Sequence, residues 1–297
     1  MKKISVTFLV ILLTITYTYS QNHSKINSDT LHYFFTGHIK KVNPTKSKYK
    51  IDPRIEELDK TKYDRIWLGG DVCTETTQDY STLQYLDSIF DLSKPGNYWA
   101  LGNHDARNRN YNWISEFTHR KTYFAHYQDG ITAIVLNTNL VPSDCENLNN
   151  QFNIIKNVCD TITKSSYLFM IMHHGIWRNV PNLPPPGTYA HSDLIYWNAN
   201  CDSVNTSFAE VVYPLLKKVK KRGIEIYCIL GDMGCNGKKF FMQSVDSINF
   251  MGCGLCNEPT DVVLIFNHIL SEQKITWEFQ NLDSLLNVQK QQKLLNN

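Results

Sequence analysis

Tyr98-Trp99-Ala100-Leu101-Gly102-Asn103-His104-Asp105 is a short apolar run that breaks, at a glycine, into an amide, an imidazole and a carboxylate. The run 98–101 reads as a strand and the glycine as its end. The same switch recurs along the chain. Thr36-Gly37-His38 follows the run 33–35, Gly69-Gly70-Asp71 follows 65–68, His173-His174 follows 168–172, and Gly231-Asp232 follows 225–230. Further strands are expected at 132–136 and at 262–266 and 274–279, the last two joined like a hairpin. Helices fall between them, with apolar residues three and four apart. One uses Leu83, Leu86, Ile89 and Phe90, another Phe152, Ile155, Val158 and Ile162, a third Phe208, Val211, Val212, Leu215 and Val219. Strands and helices in turn give an α/β chain.

In open α/β sheets, sites lie outside the carboxyl ends of the strands. Any one of these clusters alone is weak, since a lone His is more often structural and a Gly-Asp pair is often a turn. Five strand ends that each deliver His, Asp or Asn to one edge are hard to attribute to packing. Imidazole and oxygen donors together suit zinc, manganese or iron and not a thiolate site. Asp71, on a Gly-Gly turn, is placed to bridge two metals about 3.5–4 Å apart. His104 beside Asn103 suits protonation of a leaving group or contact with a phosphoryl oxygen. The chemistry implied is metal-assisted hydrolysis of a phosphoester.

At these residues the chain resembles the calcineurin-like metallophosphoesterases, which include the purple acid phosphatases. Their blocks are Asp-x-His, Gly-Asp, Gly-Asn-His-Asp/Glu, a His after an apolar strand, and Gly-His-x-His. Order and strand-end placement match here from Phe34 to Gly234. The resemblance implies a four-layer α-β-β-α sandwich of two mixed sheets flanked by helices, with the metal site at the strand C-terminal ends. It also implies that Asp71 bridges the metals, that Asn103 and His173 bind the second one, and that His104 is the catalytic histidine. Two blocks depart from the pattern. Thr36 stands where the family has its first Asp, though His38 is kept, and Asp232 and Gly234 stand where it has two histidines.

By resemblance, then, the second metal keeps Asp71, Asn103 and His173, with Asp232 an oxygen ligand in place of the first histidine. The first metal keeps only His38 and Asp71; Glu75, Cys73 and His174 are the neighbours able to compensate. The expectation is one firm metal site and a weakened second one, with one or two divalent ions (Zn, Mn or Fe) per chain. A single ion still lowers the pKa of bound water towards about 7 if a coordination position stays open. Arg107, Arg178 and His174 are candidates to hold the phosphate of a small-molecule substrate, with Lys40 and Lys41 weaker ones. The rival reading is a non-catalytic phosphoesterase fold whose reduced site binds a phosphorylated ligand or a partner.

The N-terminus reads as a secretory signal over residues 1–20: Lys2 and Lys3, an apolar stretch to about Ile15, then Thr18 and Ser20 before Gln21. That apolar stretch is shorter than the roughly 20 residues that span a bilayer. The expected chain is therefore secreted or periplasmic, with one domain over 21–280 and a polar tail, a frayed helix, over 281–297. Eight cysteines suit an oxidising compartment. Cys253 and Cys256 read as a structural disulfide or buried thiols, because a second Cys-x-x-Cys for zinc is missing. Asn22-His23-Ser24 and Asn205-Thr206-Ser207 match glycosylation acceptors. Residues 181–187, with Pro184, Pro185 and Pro186 in a row, form an irregular loop that either walls a pocket or is a surface excursion. The 297 residues carry 30 Lys+Arg against 28 Asp+Glu. Near-neutral charge leaves no electrostatic footprint for nucleic acid.

Overall fold

The computed structural model describes residues 29–40, 50–141, 143–191, 193–194, 207–234 and 238–295. Residues 1–20, where a signal peptide is expected, and Lys41, Cys201, Cys235, Asn22 and Asn205 lie outside them. In chain order the strands are β1 (Thr30–Thr36), β2 (Arg65–Leu68), β3 (Tyr98–Trp99), β4 (Phe124–Gln128), β5 (Ile131–Val135) and β6 (Tyr167–Met172). After these come β7 (Glu225–Leu230), β8 (Lys239–Gln243), β9 (Asn249–Cys253), β10 (Val262–Ile269) and β11 (Lys274–Asn281). The helices are α1 (Pro53–Glu57), α2 (Tyr80–Phe90), α3 (Asn103–Ala106), α4 (Tyr111–Thr118), α5 (Cys145–Thr161), α6 (Tyr213–Lys220) and α7 (Leu282–Leu295).

One sheet has the order β11-β10-β1-β2-β3 and the other β4-β5-β6-β7-β9-β8. Both are mixed: β1, β2 and β3 run parallel, as do β5, β6, β7 and β9, with antiparallel strands outside them. The two sheets stack, so each central strand is covered on both faces and reads as a continuous apolar run. Alternation then sends successive residues to different cores. Tyr33, Phe35, Trp67, Phe169, Ile171 and Ile229 fill the layer between the sheets. Phe34, Ile66 and Leu68 face outward under α1, α2, α4 and α7. Leu168, Met170, Ile226 and Cys228 face the other way under α5 and α6. The four layers expected from the sequence are present.

Two glycines fix how the parallel strands end. A Cβ on Gly37 would lie 2.3 Å from the Gly231 Cα, and one on Gly231 would lie 2.2 Å from the Gly69 carbonyl oxygen. The ends of β1, β2 and β7 therefore meet backbone to backbone across the two sheets, which only glycine permits. That contact brings Thr36-Gly37-His38, Gly69-Gly70-Asp71 and Gly231-Asp232 to one place.

Several elements differ from the sequence expectations. β4, β8 and β9 do not stand out as apolar runs: β4 and β8 are edge strands with polar residues on one face, and β9 contains Asn249 and Gly252. The polar segment after Asn281 is the 14-residue α7, with Asn281 accepting from the Ser284 N–H and with Leu282 and Leu286 buried. Residues 181–187 are tied to the core, because Trp177 donates to the Pro184 carbonyl and Pro186 packs on Gly175. Cys253 is a free, buried thiol that donates to the Phe35 carbonyl, whereas Cys256 is disulfide-bonded, so these two do not pair. Among the described residues no helix is long and apolar enough to cross a membrane.

Candidate metal centre

The turn after β2 sets the centre of the site. Gly70 has φ +89° and Asp71 φ +54°, so both take the left-handed conformation, which aspartate tolerates better than most side chains. Asp105, fully buried, holds that turn in place. Its carboxylate accepts from the backbone N–H of Asp71 (2.8 Å), Val72 (3.0 Å) and Gly102 (2.9 Å), the Thr76 hydroxyl (2.6 Å) and the Trp99 indole (3.2 Å). Burial and the nearby Asp71 raise its pKa, while the bonds from Thr76 and Gly102 oppose the rise. Asp105 thus staples the second block of the site to the third.

Asp71 is itself 1% exposed, and its two oxygens divide the site. Oδ1 accepts from the His104 N–H (3.0 Å) and lies 3.4 Å from His173 Nε2. His173 Nε2 is also 3.7 Å from Asp232 Oδ1. The His173 Nδ1–H donates to the Gly69 carbonyl (2.6 Å), which leaves Nε2 as the ring nitrogen that faces the two carboxylates. That nitrogen is buried and makes no hydrogen bond. A buried polar atom with no partner costs about 1–3 kcal/mol unless something else satisfies it. His174, its Nδ1 2.7 Å from the Thr138 hydroxyl, stands edge-on to His173. One potential ligand atom from each of His173, His174 and Asp232 lies within 4.8 Å of the others. Burial and then His173 push the His174 pKa down to about 3, so the ring is neutral and able to ligate. Two imidazoles and a carboxylate beside Asp71 fit a divalent transition metal.

The Oδ2 side is different. His38 Nε2 lies 3.5 Å from Oδ2, and the Lys40 ammonium lies 2.5 Å from the same oxygen. Burial works to raise the Asp71 pKa, but His173, Lys40 and His38 outweigh it and hold the carboxyl well below the usual carboxylate range. Burial and Lys40 push His38 down to about 4. The buried Thr36 hydroxyl turns back to its neighbour Gly37. Gly234 offers no side chain, and the His38 ring packs against it, 3.2 Å from where a Cβ would stand. This side has an ammonium at 2.5 Å and the His38 imidazole at 3.5 Å, with His104 farther out, where the other has two imidazoles and a carboxylate.

The remaining candidates lie around this centre. His104 is partly exposed, with Nδ1 2.8 Å from the Thr74 carbonyl and Nε2 3.9 Å from Asp71 Oδ2. Asn103 opens α3 and is exposed beside it. Arg107 reaches Glu75 Oε1 at 2.6 Å and His104 Nε2 at 3.3 Å, so it stands at the mouth. Arg178 is engaged by Asp193. Cys73 is buried beside Asp105, and burial raises its thiol pKa. Sequence reasoning did not single out Asp105 as a clamp, Thr138 as the partner of His174, or His191, whose ring lies 6.3 Å from that of His38. The one available signal was Asp105 itself, at the third helical position where a carboxylate reaches back to the preceding N–H.

The calcineurin-like phosphoesterase family model matches residues 31–228, two-thirds of the chain. The chain belongs to this family. No curated protein sequence matches it. Among solved structures it is similar to a dimetal phosphatase from Danio rerio, with TM-score 0.54 and 8% identity over 85% of this chain and 96% of that one. It is also similar to GAP50, the anchor in the inner membrane complex of Plasmodium, with TM-score 0.51 and 11% identity over 85% of each chain. At such identities the likeness concerns the fold alone.

Proposed function

We propose that this chain is an exported, metal-dependent phosphoesterase that hydrolyses a small phosphomonoester or phosphodiester. The observation that carries the reading is the buried His173 Nε2, without a hydrogen bond and aimed between Asp71 and Asp232, with His104 at the open side. His173, Asp232 and Asp71 would hold the ion, with His174 and Asn103 beside them. A bound divalent ion supplies Lewis acidity and lowers the pKa of water towards about 7.

The side chains supply the rest. His104, its Nδ1–H donated to the Thr74 carbonyl, keeps Nε2 for the reacting side, and that arrangement also stabilises the ring when Nε2 carries a proton. From there it delivers a proton to the departing oxygen. Arg107, next to Nε2, has a guanidinium fork suited to phosphoryl oxygens, with Glu75 holding it in place until substrate arrives. Export is supported by the disulfide-bonded Cys145 and Cys256, since such bonds persist in oxidising compartments.

The second reading, a phosphoesterase fold kept for binding, is favoured by the Lys40 ammonium on Asp71. Fold alone does not decide, since proteins of one fold carry unrelated functions. The experiment is hydrolysis of p-nitrophenyl phosphate and bis(p-nitrophenyl) phosphate by protein loaded with zinc, manganese or iron. Activity abolished by a chelator and lowered ~10²–10⁴-fold by His104→Ala supports the enzyme. Hydrolysis of neither ester under any loading, or full activity in His104→Ala, overturns it.

A further inference from the structure

We propose that the Lys40 ammonium permanently takes the place of one of the two cations that a carboxylate such as Asp71 bridges, so that this chain is built to hold a single divalent ion. The inference deepens the reading of the site as a metal centre and rests on it. Lys40 is not a surface lysine that happens to lie nearby: its side chain is 14% exposed and its Nζ lies 2.5 Å from an oxygen of a carboxylate that is 1% exposed. The backbone aims it there. The His38 N–H donates to the Gly70 carbonyl (2.8 Å) and the Lys40 N–H to the Asp71 carbonyl (3.1 Å), so residues 38–40 run along the turn that carries Asp71. A bridge from Lys40 to Ile51 holds the other flank.

Three further features of the same side agree. Thr36 is neutral and its hydroxyl faces Gly37, Gly234 contributes no donor, and the His38 ring lies against Gly234. The first two leave the Oδ2 side without a ligand at those positions, and Lys40 adds a positive charge there. A like charge at hydrogen-bonding distance disfavours a second cation, and an ammonium is a compact charge able to neutralise Asp71 alone. Oδ1 remains directed to His173, which also faces Asp232, so the two oxygens of Asp71 serve one fixed and one exchangeable positive charge.

The test counts ions bound to the full chain, stripped of metal and then equilibrated with manganese, by elemental analysis. Electron paramagnetic resonance reports whether two manganese ions are coupled. Wild type and K40R are expected to take one ion per chain with no coupling, and K40D, which puts a carboxylate at that position, is expected to take two coupled ions. Should K40D fail to fold, T36D/K40Q restores a carboxylate at the end of β1 and carries the same expectation. Two ions in the wild type, or one only in the folded carboxylate variant, overturn the Lys40 assignment while leaving the metal centre standing. No ion in the wild type overturns the metal centre and the assignment together.

Discussion

The two sides of Asp71 differ in what they ask of a cation. On the Oδ1 side, neutral and negative donors converge on a buried, unbonded nitrogen of His173. On the Oδ2 side, an ammonium already neutralises the carboxylate, with His38 Nε2 at 3.5 Å and His104 Nε2 at 3.9 Å. The same aspartate thus presents one half made to receive an ion and one half made to do without. Read block by block, the sequence already gives one firm half and one half weakened by Thr36 and Gly234; what it does not give is the Lys40 charge on the weakened half. Which half is complete depends on charges that face each other across three strand ends.

Removing Asp105 should break the comparison altogether, because it staples the Asp71 turn to the Gly102 turn on which both halves depend. Asp105→Ala leaves buried donors unpaired and is expected to cost about 3–5 kcal/mol. At ~2–4 °C per kcal/mol for a domain of this size, thermal melting should fall by roughly 6–20 °C. A fall of only a degree or two would deny the clamp its role.

Paired alanine variants sharpen the comparison. His173→Ala should weaken metal binding by more than ~100-fold, since it removes a ligand, whereas His38→Ala should change it only a few-fold. Equal losses, measured by calorimetric titration, would mean that both halves hold metal. Thr138→Val takes away the partner of His174 Nδ1 and leaves the ring in place. A loss of ~10–100-fold in affinity is expected, the usual effect of releasing the group that orients a metal-binding imidazole.

Acid should act on both halves of the metal-free protein. His38 and His174 are pushed down to about 4 and about 3, below the roughly 6.5 of an unfolded chain. Between those values the unfolded state binds protons that the folded state does not. Stability is therefore undiminished above about pH 6.5 and falls as the pH drops below it. The slope is up to ~1.4 kcal/mol per pH unit for each ring. Denaturant unfolding at pH 7, 6 and 5 gives that slope, and His38→Asn and His174→Asn should each flatten it. A slope unchanged in both variants would place the acid sensitivity elsewhere.

Much of this was legible in the sequence because the polar residues of the site sit directly after apolar strands. The ends of β1, β2, β3, β6 and β7 carry His38, Asp71, Asn103 to Asp105, His173 and Asp232, and the fold brings those ends to one edge. Edge strands β4 and β8 were not legible: in β8 the exposed Lys239 and Gln243 dilute the apolar signal, and in β4 the half-buried face itself carries His126 and Gln128. Lys40 was legible only as a weak phosphate candidate beside His38; that it pairs with Asp71 follows from the backbone bonds of residues 38–40 to Gly70 and Asp71, which the sequence does not show. His191 and Thr138 reach the site through loops, whose course no periodicity predicts.

The most direct measurement is the metal content of the purified full chain, by elemental analysis, beside that of Asp232→Asn. About one transition-metal ion per chain in the wild type, lost in the variant, is the predicted result. No ion in the wild type after incubation with zinc, manganese and iron, or the same ion retained in Asp232→Asn, would contradict the assignment of the His173 and Asp232 side as the metal-holding half.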